Sequence, residues 1–165
     1  PKRRRRVGNG GFWYDVGIMV LYLIRHGAYA SGDSDPGLSP FGLAQARAAG
    51  RFLRAQGARP EAVLTSGYRR ARETAAAIQE ELGTALDPLE SRDFTPFGDP
   101  AAMRATVEAL GVGEALVVGH MCSIGELART LCPQAPHAFG TCMIVALERE
   151  DKDWRLLWAQ RMETV

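Results

Sequence analysis

Two histidines, His26 and His120, sit where short apolar runs stop, and Arg25 directly precedes the first. The stretch MVLYLIRHG, Met19 to Gly27, reads as a buried strand that delivers Arg25 and His26 to its own carboxyl end. EALVVG, Glu114 to Gly119, ends at His120 in the same way, and the helix after a third run, Glu61 to Ser66, opens with Arg69 and Arg70. In an open α/β sheet ligands bind at the carboxyl ends of strands, so His26, His120, Arg25 and one of the two helix arginines would surround one crevice. Guanidinium forks match phosphate oxygens in bidentate fashion, and helix amino termini following Ser66 and His120 would add backbone donors. The ligand this chemistry suits is a phosphoryl group.

His26 is the candidate nucleophile. A neutral imidazole attacks phosphorus through one ring nitrogen when the other donates its proton to a fixed acceptor, and Gly27 leaves room for the backbone to supply one. Phosphoryl transfer asks mainly for positioning and for neutralisation of oxygen charge, which cationic and donor side chains can provide without a metal. Periodicity alone does not say whether Arg69 or Arg70 takes part.

The elements that would hold these residues alternate. Ala28 to Leu38 is a loop over the first strand's end. Ser39 caps a helix with Pro40 at its first position and an apolar stripe of Leu43, Ala46, Gly50 and Leu53, ending near Gly57. The helix after Ser66 carries Tyr68, Ala71, Ala75, Ile78 and Leu82 and is closed by Gly83. Thr84 to Gly98 is irregular, with a short strand expected near Ala85 and Leu86. Asp99 and Pro100 start a helix with Met103, Val107 and Leu110 inward, and Ile124, Leu127, Ala128 and Leu131 form the helix behind His120, stopped by Cys132 and Pro133. Thr141 to Glu148 and Trp154 to Gln160 suit an antiparallel hairpin around a polar turn. This order predicts an α/β fold: a three-layer α/β/α sandwich with a mostly parallel central sheet and an antiparallel edge strand.

Composition bounds the rest. A chain of 165 residues, 46% apolar, can build one core without a staple. Its formal charge of +1 hides an asymmetry: Lys2 to Arg6 are basic and only Asp15 is acidic before Met19. Residues 1–18 therefore read as a basic, disordered arm added upstream of a natural start at Met19, with a targeting or nucleic-acid-contacting arm as the alternative, and 19–165 as the domain. The domain's acidic excess excludes a basic nucleic-acid binder. Cys122, Cys132 and Cys142 are an odd set without a secretory signal, which implies reduced thiols and a cytoplasmic location. The longest apolar run, Ile18 to Ile24, is too short to span a bilayer.

At these motifs the sequence resembles the histidine phosphatase (phosphoglycerate mutase-like) superfamily. LIRHG at Leu23 to Gly27, TSGYRRARETA at Thr65 to Ala75, VVGH at Val117 to His120 and LSPFGLAQA at Leu38 to Ala46 match its segments in order. The family's pattern Ser-Pro-x-x-Arg-Ala-x-x-Thr puts the phosphate-binding role on Arg70, and Gly67 stands where the family usually has proline. The resemblance implies that His26 takes the phosphoryl group, that Arg25, Arg70 and His120 hold its oxygens, and that water releases it. Gly27 and the Ser123 hydroxyl join the candidate binding set.

The short chain and the run DFTPFGDP, Asp93 to Pro100, look like the small phosphohistidine phosphatases of the SixA type. Larger relatives insert a lid with a glutamate acid; here Asp93 is the candidate, with Asp99 and Glu90 near it. A weak acid suffices if the bond broken is P–N to imidazole, because that leaving group protonates near neutral pH. The implied substrate is phosphohistidine on a signalling or phosphotransfer protein, with no metal and no cofactor. The alternatives are a broad phosphomonoesterase on small metabolites and a phospho-binding module without turnover. A tyrosine-phosphatase reading of Cys122 fails because Cys-x5-Arg meets Ala128, and Ser123 lacks the first glycine of a nucleophile elbow.

Overall fold

The computed structural model describes residues 17–162 and, before them, only Arg4–Arg6 and Trp13–Asp15, which pair antiparallel with Arg4 opposite Asp15 as a separate two-stranded ladder. The remainder of the expected arm and residues 163–165 lie outside the described residues.

Strand β1 (Met19–Arg25) is the centre of the domain. Its residues alternate between two cores, Leu21 and Leu23 on one face and Tyr22 and Ile24 on the other, which is the period of a strand covered on both sides. Four further strands lie in the same sheet, β2 (Ala62–Thr65), β4 (Glu114–Gly119), β5 (Ile144–Glu150) and the largely exposed β6 (Asp153–Gln160), with the two-residue β3 (Leu89–Glu90) at one edge. The order is β3-β2-β4-β1-β5-β6. The pairs β3 with β2, β2 with β4 and β4 with β1 are parallel; β1 with β5 and β5 with β6 are antiparallel.

Helices α1 (Pro40–Ala55) and α2 (Arg69–Leu82) cover one face, where Ala46, Ala49, Leu53, Ala71, Ala75 and Ile78 pack on Ile24, Val63 and Val118. Helices α3 (Pro100–Glu108) and α4 (Ser123–Leu131) cover the other, through Met103, Val107, Ile124 and Leu127 against Leu23 and Val117. The domain is thus the expected three-layer sandwich. Ser39 and Asp99 cap α1 and α3 through their side chains, each followed by proline, and Gly83 ends α2 with a left-handed φ of 72°.

Three local expectations are corrected. The short strand near Ala85 and Leu86 is instead Leu89–Glu90, because Leu86 is tied to α2: its N–H donates to Gln79 Oε1 and its carbonyl accepts from Gln79 Nε2. Leu43 is exposed rather than part of the α1 stripe, and Ala49 takes the inward position. The last two strands reach further into the polar segment than expected, so their turn is Asp151 and Lys152 alone. No helix among the described residues is long and apolar enough to cross a membrane, and Cys122, Cys132 and Cys142 are free thiols.

Candidate active site

Strand register brings the chemistry together. Arg25 pairs with Gly119 across the parallel β1/β4 ladder, and Thr65 pairs with Val118 across β2/β4. One residue further along, His26, His120 and Ser66 emerge side by side at the carboxyl edge, the His26 N–H still donating to the Gly119 carbonyl at 3.0 Å. The two imidazole centroids are 4.9 Å apart. Parallel strands start their exits at the same level, which is why matching strand ends in the sequence become neighbours in space.

His26 is 3% exposed and its Nδ1 lies 2.8 Å from the Gly27 carbonyl oxygen. A carbonyl only accepts, so Nδ1 carries the proton and Nε2 keeps its lone pair. Arg70 Nε donates to that lone pair at 3.3 Å. Gly27 itself sits under α1: a Cβ there would come 2.7 Å from the Gly42 carbonyl oxygen, so the position tolerates glycine and keeps its carbonyl beneath His26. The Gly27 N–H donates to Thr74 Oγ1 at 3.0 Å, and the Thr74 hydroxyl donates to the Arg70 carbonyl at 2.7 Å. Thr74 thereby fastens the end of β1 to the first turn of α2.

Arg70, and not Arg69, faces His26. Its guanidinium carbon lies 4.8 Å from the ring centroids of both Tyr29 and Tyr68. Such contacts hold the plane of the fork where a flexible chain would otherwise wander. Arg69 turns away, its side chain on Glu73 at 2.7 Å and its backbone N–H on the Asp35 carboxylate at 3.1 Å. Arg25 Nη1 donates to the Phe139 carbonyl at 2.9 Å, while its Nε is buried without a hydrogen-bond partner.

His120, 1% exposed, is bonded through Nε2 to Ser66 Oγ at 2.6 Å, and its Nδ1 is also buried without a partner. Arg25 Nε and His120 Nδ1 are thus two buried nitrogens of this cationic group without a hydrogen-bond partner. Burial is the chief cause that lowers the His26 pKa to about 4; Arg70 and Arg25 push the same way and the Gly27 carbonyl opposes them. Burial likewise brings His120 down to about 3, helped by His26, Arg70 and Arg25. Both imidazoles are neutral at pH 7, the form a nucleophile and a single N–H donor require.

The other candidates, Ser123 and Asp93, are held by hydrogen bonds of their own. The Ser123 hydroxyl, on a side chain 1% exposed, donates to the Thr95 carbonyl at 2.7 Å and ties the Asp93–Thr95 segment to α4. The Asp93 carboxylate accepts from Ser91 Oγ at 3.3 Å within the 3-10 turn Arg92–Phe94. Beside the histidines runs an open groove of about 590 Å³ lined by Asp35, Ser66, Gly67, Tyr68, Arg92 and Thr95. A second depression is lined by Glu126, Arg129 and His137; Arg25, His26, Arg70 and His120 line neither it nor the first groove, which reaches the site through Ser66 and Tyr68. Among the described residues no three His, Cys, Asp or Glu side chains gather in a metal-holding cluster.

Sequence reasoning gave no site role to Ser66, Thr74 or Tyr29, and placed Tyr68 in the apolar stripe of the helix, whereas it caps α2 with its ring against Arg70 and His120. Ser66 and Thr74 were available as the first and last residues of the Ser-Gly-x-x-Arg-Ala-x-x-Thr segment. Gly67, in the place of the usual proline, has φ +83°, a left-handed value that proline's ring forbids, so this chain makes that turn differently.

Comparison with known proteins agrees with this geometry. The model of the histidine phosphatase superfamily (branch 1) matches residues 21–94, the span holding Arg25, His26 and Arg70. The phosphohistidine phosphatase SixA of Escherichia coli is 31% identical over 144 residues, covering 81% of this chain and 87% of that protein. A 2,3-bisphosphoglycerate-dependent phosphoglycerate mutase of a Methylobacterium species is 42% identical over 88 residues but is covered over only 42% of its length. Among solved structures, a protein histidine phosphatase SixA complexed with tungstate superposes with a TM-score of 0.81 at 27% identity, over 87% of this chain and 97% of the other. The chain belongs to the histidine phosphatase superfamily.

Proposed function

We propose that this protein is a SixA-type phosphohistidine phosphatase that works through a phosphoryl group carried on His26. The observation that carries the reading is the hydrogen bond from His26 Nδ1 to the Gly27 carbonyl, which leaves Nε2 as a neutral nucleophile directed at Arg70. In the first step the Nε2 lone pair forms a bond to phosphorus and the P–N bond to the substrate imidazole breaks. That imidazole departs as a neutral ring when its distal nitrogen already carries a proton, so no committed acid is needed. In the second step water attacks phospho-His26, the P–Nε2 bond breaks, and inorganic phosphate leaves. Arg25, Arg70 and His120 neutralise the oxygens that gain charge in both steps.

The similarity over nearly the full length of the SixA proteins favours phosphohistidine as the substrate over a small phosphate ester. The groove beside the histidines is open enough to admit a side chain projecting from another protein. We read the partner as a protein bearing phosphohistidine, and Asp93 as at most an auxiliary acid. The test is phosphate release from a phosphohistidine-bearing protein and from simple phosphate esters, with the natural chain and with His26→Ala. The reading expects turnover of the phosphoprotein that His26→Ala abolishes. Turnover of esters alone would point to the metabolite enzyme, and binding without turnover to a phospho-recognition module.

A further inference from the structure

His120 can offer a phosphoryl oxygen only what its one ring proton allows, so the nitrogen that carries that proton decides its part in the reaction. The answer lies in Ser66, at the end of β2. Ser66 Oγ accepts from the Tyr68 N–H at 3.2 Å, a bond made within the turn that starts α2. The same oxygen lies 2.6 Å from His120 Nε2. A hydroxyl has one proton to give, and His120 Nε2 is placed to accept it. If Nε2 were itself protonated, it would donate to the second lone pair of Ser66 Oγ, and His120 Nδ1 would become a buried acceptor without a donor, unfit to meet a phosphoryl oxygen.

We propose that Ser66 is a positioning residue that holds His120 in the Nδ1–H tautomer, so that its buried Nδ1–H is the donor presented to a phosphoryl oxygen. The inference rests on the reading of this pocket as a phosphoryl site. It adds a residue bonded to His120 that acts through it. A neutral His120 makes the assignment matter, because an imidazolium would donate from both nitrogens whatever Ser66 did. The left-handed Gly67 between Ser66 and Tyr68 is what folds the Tyr68 N–H back onto the serine oxygen.

The test is nitrogen NMR of the full chain labelled at histidine, read at pH 7 without substrate and then with inorganic phosphate added. The natural chain is expected to show His120 protonated at Nδ1, with that resonance shifting as phosphate binds. Ser66→Ala is expected to lose the single tautomer and to lower kcat on a phosphohistidine-bearing protein by about 10-fold or more with a smaller change in KM. Ser66→Thr, which keeps the hydroxyl, is expected to restore both the tautomer and most of kcat. Protonation of His120 at Nε2 in the natural chain, or an Nδ1–H tautomer that survives in Ser66→Ala, would overturn the proposal, as would an Nδ1 resonance indifferent to phosphate. If Ser66→Ala does not fold, the natural chain and Ser66→Thr decide by the same spectra. Because the tautomer is read without turnover, a chain inactive on phosphohistidine but carrying the phosphate-sensitive Nδ1–H would count against the substrate and for Ser66.

Discussion

Burying two neutral histidines side by side makes folding sensitive to mild acid. In the unfolded chain each imidazole titrates at its ordinary value of 6.5, whereas in the folded site burial and the neighbouring guanidiniums hold His26 near 4 and His120 near 3. Above about pH 7 both are neutral in either state and contribute nothing to the pH dependence. As pH falls through 6.5 the unfolded chain takes up protons that the folded chain refuses, so stability declines and continues to decline until the folded values are reached. At pH 5 each histidine lies 1.5 units below the ordinary value of 6.5, which costs about 2 kcal/mol apiece, or about 4 kcal/mol for the pair. The figure is insensitive to the folded values as long as both stay below 5. The assay is urea unfolding at pH 7.5 and pH 5.0 for the natural chain and for His26→Asn. The variant should lose about 2 kcal/mol less than the natural chain over that interval, because one of the two refused protons is gone. An equal loss in both would mean that His26 titrates freely when folded, and the buried neutral nucleophile would have to be abandoned.

Arg70→Lys keeps the charge but not the fork held between Tyr29 and Tyr68, and should lower kcat/KM on a phosphohistidine protein by about 100-fold; a change within about 3-fold would show that charge alone suffices. Gly67→Pro restores the family's usual residue, yet proline cannot take φ +83°, so thermal melts should show a loss of more than about 1 kcal/mol. An unchanged melting temperature would show that the turn readily adopts a second form. Asp93→Asn should slow hydrolysis of an alkyl phosphate ester more than hydrolysis of phosphohistidine, since only the alkoxide needs an acid. Equal slowing would assign Asp93 a role common to both.

Much of the fold was legible because its strands announce themselves. Met19–Arg25 and Glu114–Gly119 are apolar runs covered on both faces, and each is followed by the histidine that the sheet's carboxyl edge brings into the site. Capping residues followed by proline, at Ser39 and Asp99, marked two helix starts to the residue. What escaped depends on contacts between distant segments. Gln79, facing inward from the end of α2, takes both backbone groups of Leu86 and moves the edge strand to Leu89, which no local pattern reveals. Leu43 follows helical spacing as well as Ala49 does, but which of them meets the sheet is set by the packing of the whole layer.

The site divides in the same way. Arg25, His26 and His120 stand at strand ends and could be found by spacing. Arg70 was separable from Arg69 only through the family pattern, and the geometry that separates them is a fold-level fact: Arg70 faces β1 while Arg69 meets Asp35 and Glu73. The Ser66 to His120 bond joins residues 54 positions apart, and the cover of Tyr29 over Arg70 depends on a loop path that sequence does not specify.

The central claim is that a phosphoryl group passes through His26. Brief mixing of the chain with a phosphohistidine-bearing protein carrying labelled phosphate, followed by an alkaline quench and peptide mapping, tests it most directly. Label should appear transiently on the peptide containing His26, stable to alkali and released by acid as a phosphoramidate is, and should be absent from His26→Ala. Steady turnover by His26→Ala, or label on any other residue, would contradict the account.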